Sequence, residues 1–280
     1  MVRKKDVRTA GEGSETAGMT REAYTVRTIN LLGIDHDVRI AGTGAPLLVL
    51  HRDTGMFGWT PLLAALAAEY RVMAPVLPGY DGTPRHTWMR SVRDLATVTG
   101  LVVDALALGP LPVLGLGYGG WVAAELAAQD PARFTALVLQ APMGIKASGG
   151  EILDQFLYPA EEYIELGFAA SALYDDHKAI HGEDRARIID GNRETTMRIA
   201  WRPVMHALHL PHILPAIDRP ALVISGDEDR IVPPSCSRDY AALLPRGRHV
   251  ALRGCGHFID FEAPEEIVAL VRDALLLEPA

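Results

Sequence analysis

The stretch Val113-Leu-Gly-Leu-Gly-Tyr-Gly-Gly-Trp-Val-Ala-Ala-Glu-Leu-Ala127 decides the fold. It reads as the end of an apolar strand, Leu111 to Leu116, then a glycine-dense turn, then a helix from Trp121 to Gln129. Working outward, the same rhythm of strand and helix repeats. Thr25 to Ile40 reads as a strand pair turned at Gly33-Ile34-Asp35, and Pro46 to Leu50 is wholly apolar, as a strand buried on both faces requires. Trp59 to Tyr70 has helical spacing, Arg71 to Pro75 is a strand, and Ser91 to Leu108 is helical. Beyond the central stretch come strands at Phe134 to Gln140, Ala221 to Ser225 and His249 to Leu252, then a closing helix from Ala263 to Leu277. Such alternation specifies an α/β fold, a mostly parallel sheet flanked by helices.

One interval breaks the rhythm. Residues 146–212 hold no convincing strand but carry Phe156, Tyr158, Tyr163, Phe168, Tyr174, Trp201 and Met205 among helix formers. A helical insertion after the sixth strand would lie over the carboxyl edge of the sheet, where open α/β sheets bind ligands. The expected organisation is a flexible tail over residues 1–23, a core of 24–145 and 213–280, and a helical cap of 146–212. Tyr158, Tyr163, Trp201 and Met205 are expected to form the core of that cap, one or two of them facing a ligand.

The glycine-dense turn resembles the G-x-S-x-G elbow of the α/β-hydrolase family, with Gly115 and Gly119 matching its flanking glycines. Gly117 stands in the place of the nucleophile. An elbow holds its central residue in a strained backbone so that a side-chain oxygen projects above the sheet. Glycine adopts that conformation without strain and supplies no oxygen. The resemblance runs over residues 24–278 and includes capped small-molecule hydrolases. It implies the chain order nucleophile, acid, histidine. On that order Leu222 to Pro233 looks like the strand that delivers the acid, with Asp229 in the family's G-x-x-D run. Ala251 to Phe258 is similar to the family's Gly-His turn, with His257 as its histidine. A loop histidine oriented by a carboxylate is a competent general base. Singly, Asp229 could belong to a solvated acidic turn and His257 could be a satisfied loop residue; their order behind an elbow favours function.

The letters Gly115 to Gly120 also fit the dinucleotide pattern G-x-G-x-x-G. That pattern follows the first strand of its fold and needs an acid about twenty positions on; here at least three strands precede it and Phe134 to Gln140 offers no acid. No cofactor is expected. The oxyanion region departs as well. After its strand the family typically reads His-Gly-x-x-x-Gly, and this chain reads His51-Arg-Asp-Thr-Gly55. Arg52 replaces the glycine, and Asp53 falls where a backbone N–H would help hold an oxyanion, with the Tyr118 N–H as the other donor. A carboxylate there repels developing negative charge unless it faces away or pairs with Arg52.

Bulk properties bound the rest. The 280 residues carry a formal net charge of −8 and no basic block beyond Arg3-Lys4-Lys5, which argues against nucleic acid as a partner. Ala105 to Ala124 is free of charge over twenty residues, but its prolines and glycines suit buried core rather than a membrane span. The polar segment Asp6 to Glu22 offers no apolar core for a secretion signal, and two cysteines make no disulfide framework, so a cytoplasmic location is expected. Cys255 is expected to be an inert packing residue. His206, His209 and His212 are interrupted by Pro211 and joined by no cysteine or carboxylate, so no metal site is expected. The resulting expectation is general-base action of His257, held by Asp229, on a small molecule between sheet and cap, without a covalent intermediate. A silent scaffold that binds a ligand or partner, and a serine hydrolase inactivated at Gly117, are the alternatives. The sequence does not fix the oligomeric state.

Overall fold

The computed structural model describes residues 24–178, 180 and 182–276, so the expected tail lies outside the described residues. Eight strands form one sheet: β1 (Thr25–Leu31), β2 (Ile34–Ala41), β3 (Ala45–Leu50), β4 (Tyr70–Pro75), β5 (Leu111–Leu116), β6 (Phe134–Gln140), β7 (Ala221–Gly226) and β8 (Gly247–Leu252). Their order across the sheet is β1-β2-β4-β3-β5-β6-β7-β8. The pairings of β1 with β2 and of β2 with β4 are antiparallel, and the others are parallel. The central strands are buried on both faces, which is why Leu47 to Leu50, Leu137 to Leu139 and Leu222 to Ile224 are uninterrupted apolar runs.

Beyond β3 the chain winds one way to β4 and the other way to β5. The strand order therefore reverses beside β5, the place where open α/β sheets bind ligands. Helices cover the sheet: α1 (Pro61–Ala67) packs on α10 (Pro264–Leu276), and α2 (Val92–Leu106) packs on α3 (Tyr118–Gln129). The expected helix at Trp59 starts later because Thr60 caps it, its hydroxyl accepting the Leu63 N–H at 3.3 Å, with Pro61 at the first helical position. Ser91 and Asp94 form a capping box for α2.

The helix expected from Trp121 begins three residues earlier, at Tyr118. Gly119 and Gly120 are helical residues rather than turn residues. Their role is close approach: a Cβ on Gly119 would lie 2.2 Å from the Leu50 carbonyl oxygen, and one on Gly120 would lie 2.9 Å from Pro142 Cβ. Ala105 to Ala124 is divided among the end of α2, β5 and the start of α3, and no helix of the described residues is long and apolar enough to cross a membrane.

The insertion between β6 and β7 carries α4 (Ala160–Leu166), α5 (Ser171–Lys178), α6 (Arg185–Ala200) and α7 (Leu210–Ile213). Helix α8 (Pro234–Leu243) follows β7, and α9 (Ile259–Glu262) follows β8. The insertion is stitched to the core through α6. Asn192 donates to the Thr54 carbonyl at 2.8 Å and accepts the Asp81 N–H at 2.7 Å, while Thr195 donates to the Gly79 carbonyl at 2.7 Å. Tyr163 and Met205 are buried in the insertion as expected. Trp201 is not: it is 39% exposed, its ring edge resting on Phe156, and Tyr158 is half-buried.

Candidate active site

Gly117 sits between β5 and α3 with φ 53° and ψ −111°, a conformation that L side chains resist. Its N–H donates to the Gln140 carbonyl at 2.7 Å, and its carbonyl accepts from Gly120 N–H at 3.0 Å and Met143 N–H at 3.2 Å. The corner is tight because Gly115 admits no side chain; a Cβ there would meet the Gly119 oxygen and Gly120 Cα at 2.6 Å. A strand thus passes straight into a helix. The corner presents its apex to the imidazole: a Cβ built on Gly117 would lie 2.9 Å from His257 Nε2.

His257 follows β8, with its N–H donating to the Gly167 carbonyl at 2.6 Å. Its Nδ1 lies 2.9 Å from Asp229 Oδ2, and Asp229 Oδ1 accepts the N–H groups of Ile231 and Val232, each at 2.8 Å. A carboxylate accepts only, so Nδ1 carries the proton and Nε2 presents its lone pair toward Gly117. Among the described residues no hydrogen-bond partner reaches Nε2, and His257 is 1% exposed. Gly117, Asp229 and His257 come together as the chain order implied.

Arg52 and Asp53 part company. The guanidinium of Arg52 runs beneath the histidine loop, where it pairs with Asp260, donates to Gln140 Oε1 at 3.2 Å and to the His257 carbonyl at 3.3 Å, and stacks 4.3 Å from the Phe258 ring centre. Of the two alternatives open for Asp53, facing away or pairing with Arg52, the pairing is not seen, because Arg52 pairs with Asp260. Burial raises the Asp260 carboxyl, and the Arg52 charge opposes it. Gln140 adds a second clamp, donating from Nε2 to the His257 carbonyl at 2.8 Å.

Asp53 turns toward the insertion instead. Its Oδ2 accepts Gln155 Nε2 at 2.9 Å and the Tyr163 hydroxyl at 3.0 Å. The Tyr163 phenol is pushed well up by burial, then by Asp53, with Asp229 adding to it. Tyr163 therefore senses the carboxylates of both the oxyanion loop and the loop after β7. Tyr118 contributes the first N–H of α3, and its ring packs 5.9 Å from Tyr80. His51 is not brought to the imidazole. It accepts the Leu77 N–H on Nε2 at 2.9 Å and donates from Nδ1 to the Arg52 carbonyl at 2.8 Å, while burial lowers its pKa and keeps it neutral.

Four contributors carried no motif: Gln140, Gln155, Tyr163 and Asp260. Gln140 had a signal, as the polar residue that ends an apolar strand, and Asp260 lies only three residues past His257. The histidine trio behaves differently from expectation in one respect. His209 Nε2 does meet a carboxylate, Glu125 Oε1 at 2.7 Å, while His206 Nδ1 lies 2.9 Å from the Val204 carbonyl. Among the described residues no group of three His, Cys, Asp or Glu side chains is placed to hold a metal ion. The Cys255 thiol is pushed up to about 11 by burial and by Glu262, which suits an inert residue.

Comparison with known proteins accords with this geometry. The model of the alpha/beta hydrolase family matches residues 47–270. The chain is similar to 2-hydroxymuconate semialdehyde hydrolase of Pseudomonas sp. strain CF600, at 27% identity over 89% of this chain and 93% of that protein. It is similar to pimeloyl-[acyl-carrier protein] methyl ester esterase of Nitrosomonas europaea, at 27% identity over 83% and 96% of the two chains. A solved meta-cleavage product hydrolase from Pseudomonas fluorescens IP01 superposes with a TM-score of 0.74 at 20% identity, covering 89% of this chain and 97% of that one, a likeness of fold. With eight mostly parallel strands, a tight glycine corner after β5 and a family match over most of its length, the chain belongs to the alpha/beta hydrolase family.

Proposed function

We propose that the protein is an enzyme that acts on a small organic molecule between core and cap by non-covalent general-base catalysis. The cap in this proposal is residues 146–212, set over the core of 24–145 and 213–280. His257, oriented by Asp229, takes a proton from water or from the substrate in a hydrolytic, lyase or isomerase step. The carrying observation is the imidazole itself: Nδ1 is committed to Asp229 at 2.9 Å, and Nε2 faces a residue that has no side chain. Positioned acid–base catalysis of this kind contributes about 10²–10⁴ in rate. The chemistry requires no cofactor. Relatives named as hydrolases and esterases make hydrolysis the first reaction class to test.

A serine hydrolase inactivated at Gly117 is the further alternative, and Gly117→Ser tests it. A Cβ at residue 117 would approach His257 Nε2 to 2.9 Å, closer than real Cβ contacts, and the imidazole is held by Asp229. A silent scaffold remains the second proposal, favoured by the burial of His257 and Asp53, each 1% exposed, behind the cap. A small-molecule ligand and a cytoplasmic location, the latter in keeping with two buried free thiols, belong to the same proposal. Incubation with pooled small esters, amides and ketones separates the two. An enzyme consumes a component; a silent scaffold shows only an increase in melting temperature.

A further inference from the structure

The oxyanion loop of this chain carries a buried carboxylate with no cation to balance it. Asp53 is 1% exposed, and the adjacent Arg52 is spent on Asp260. The partners of Asp53 are neutral donors, Gln155 Nε2 and the Tyr163 hydroxyl, and both bonds end on Oδ2. Among the described residues no donor reaches Oδ1 and no Lys or Arg pairs with the carboxylate. Burying an ionised carboxylate without a counter-charge costs several kcal/mol. A ligand that brings a positive charge would offset that cost.

A second observation points the same way. Gln155 is fully buried and its amide orientation is fixed, because Nε2 must face the Asp53 carboxylate. Its Oε1 has no donor among the described residues. His257 Nε2, also an acceptor while Nδ1–H serves Asp229, has none either. The Tyr163 phenol joins the ends of this set, bonded to Asp53 and within electrostatic reach of Asp229. Asp53 Oδ1, Gln155 Oε1 and His257 Nε2 are thus acceptors, in a region whose relatives in the family use donors to hold an oxyanion.

We propose that the site takes a small organic ligand bearing a protonated amine, with its ammonium against Asp53. An ammonium brings one positive charge and three N–H donors, the complement of a carboxylate and neighbouring acceptors. Ligands that offer only acceptors at this position, such as carboxylates and phosphates, meet repulsion. This ligand class rests on the proposal that substrate binds between core and cap beside His257.

The test is isothermal titration at pH 7 with three probes that share a phenyl ring: 2-phenylethylamine, 2-phenylethanol and phenylacetate. The amine is expected to bind at least about tenfold more tightly than the alcohol, and phenylacetate more weakly than either. Asp53→Asn, close in shape, brings the amine within about twofold of the alcohol. Equal binding of amine and alcohol, no binding of the amine, a preference for phenylacetate, or a preference unchanged in Asp53→Asn overturns the proposal. Should Asp53→Asn fail to fold, the wild-type series still decides it. Absence of amine preference beside a turnover that needs His257 defeats the ligand class alone. Amine preference beside full turnover in His257→Ala defeats the general base alone.

Discussion

Arg52→Met probes the device that replaces the family's glycine after β3. Both members of the Arg52–Asp260 pair have side chains 2% exposed, so solvent screens neither charge. Removing one member of a buried pair typically costs about 3–5 kcal/mol, because the other charge is left uncompensated. Loss of the guanidinium over Phe258 adds about 0.5–1 kcal/mol. That total is a large part of the 5–15 kcal/mol typical of a folded domain. In urea, with a slope of about 2 kcal/mol per M, the midpoint is expected to fall by about 1.8–3 M. The pH dependence has a definite sign. Burial already raises the Asp260 carboxyl and Arg52 opposes that rise, so its removal raises the carboxyl further. The native variant then holds a proton that the unfolded chain has released, and stability falls as pH rises through the raised value. The lesion is therefore deepest at neutral pH and shrinks toward acid. Adding Asp260→Leu recovers most of the loss, since a buried pair replaced by apolar groups is often neutral. A loss below about 1 kcal/mol, or a double variant less stable than the single one, refutes the reasoning.

Gly117→Ser is expected to lose about 1–3 kcal/mol through its positive φ and its contact with the imidazole, and to show no hydrolysis of 4-nitrophenyl acetate; rapid ester cleavage would revive the disabled serine enzyme. His36, His51, His86 and His249 all titrate below the usual histidine value because burial disfavours the cation. The unfolded chain binds protons first as pH falls below about 6.5, so the thermal midpoint should drop between about pH 7 and 5, and a flat profile contradicts this. Both cysteines are buried with thiols pushed up by burial, so neither should react with a disulfide reagent at pH 7.5 until denaturant is added.

The legible parts of this chain are those governed by local pattern. Apolar runs such as Leu47 to Leu50 announced buried parallel strands, and the order Gly117, Asp229, His257 announced three residues that the fold brings together. Two kinds of feature stayed hidden. Gly119 and Gly120 read as turn residues, because the helix they open is set by contact with Leu50 and Pro142, which no local window contains. Arg52 meets Asp260 and Asp53 meets Gln155 and Tyr163 across 208, 102 and 110 residues. Successive side chains of one loop took opposite sides, a choice that no local pattern encodes. Trp201 likewise looked like core by residue type, yet the surface of the insertion holds it.

Once a substrate is in hand, the turnover number of His257→Ala against that of the unaltered protein is the decisive quantity. A fall of about 10²–10⁴ at unchanged thermal stability is expected if the imidazole that faces Gly117 moves the proton. Undiminished turnover in a folded His257→Ala protein would contradict it.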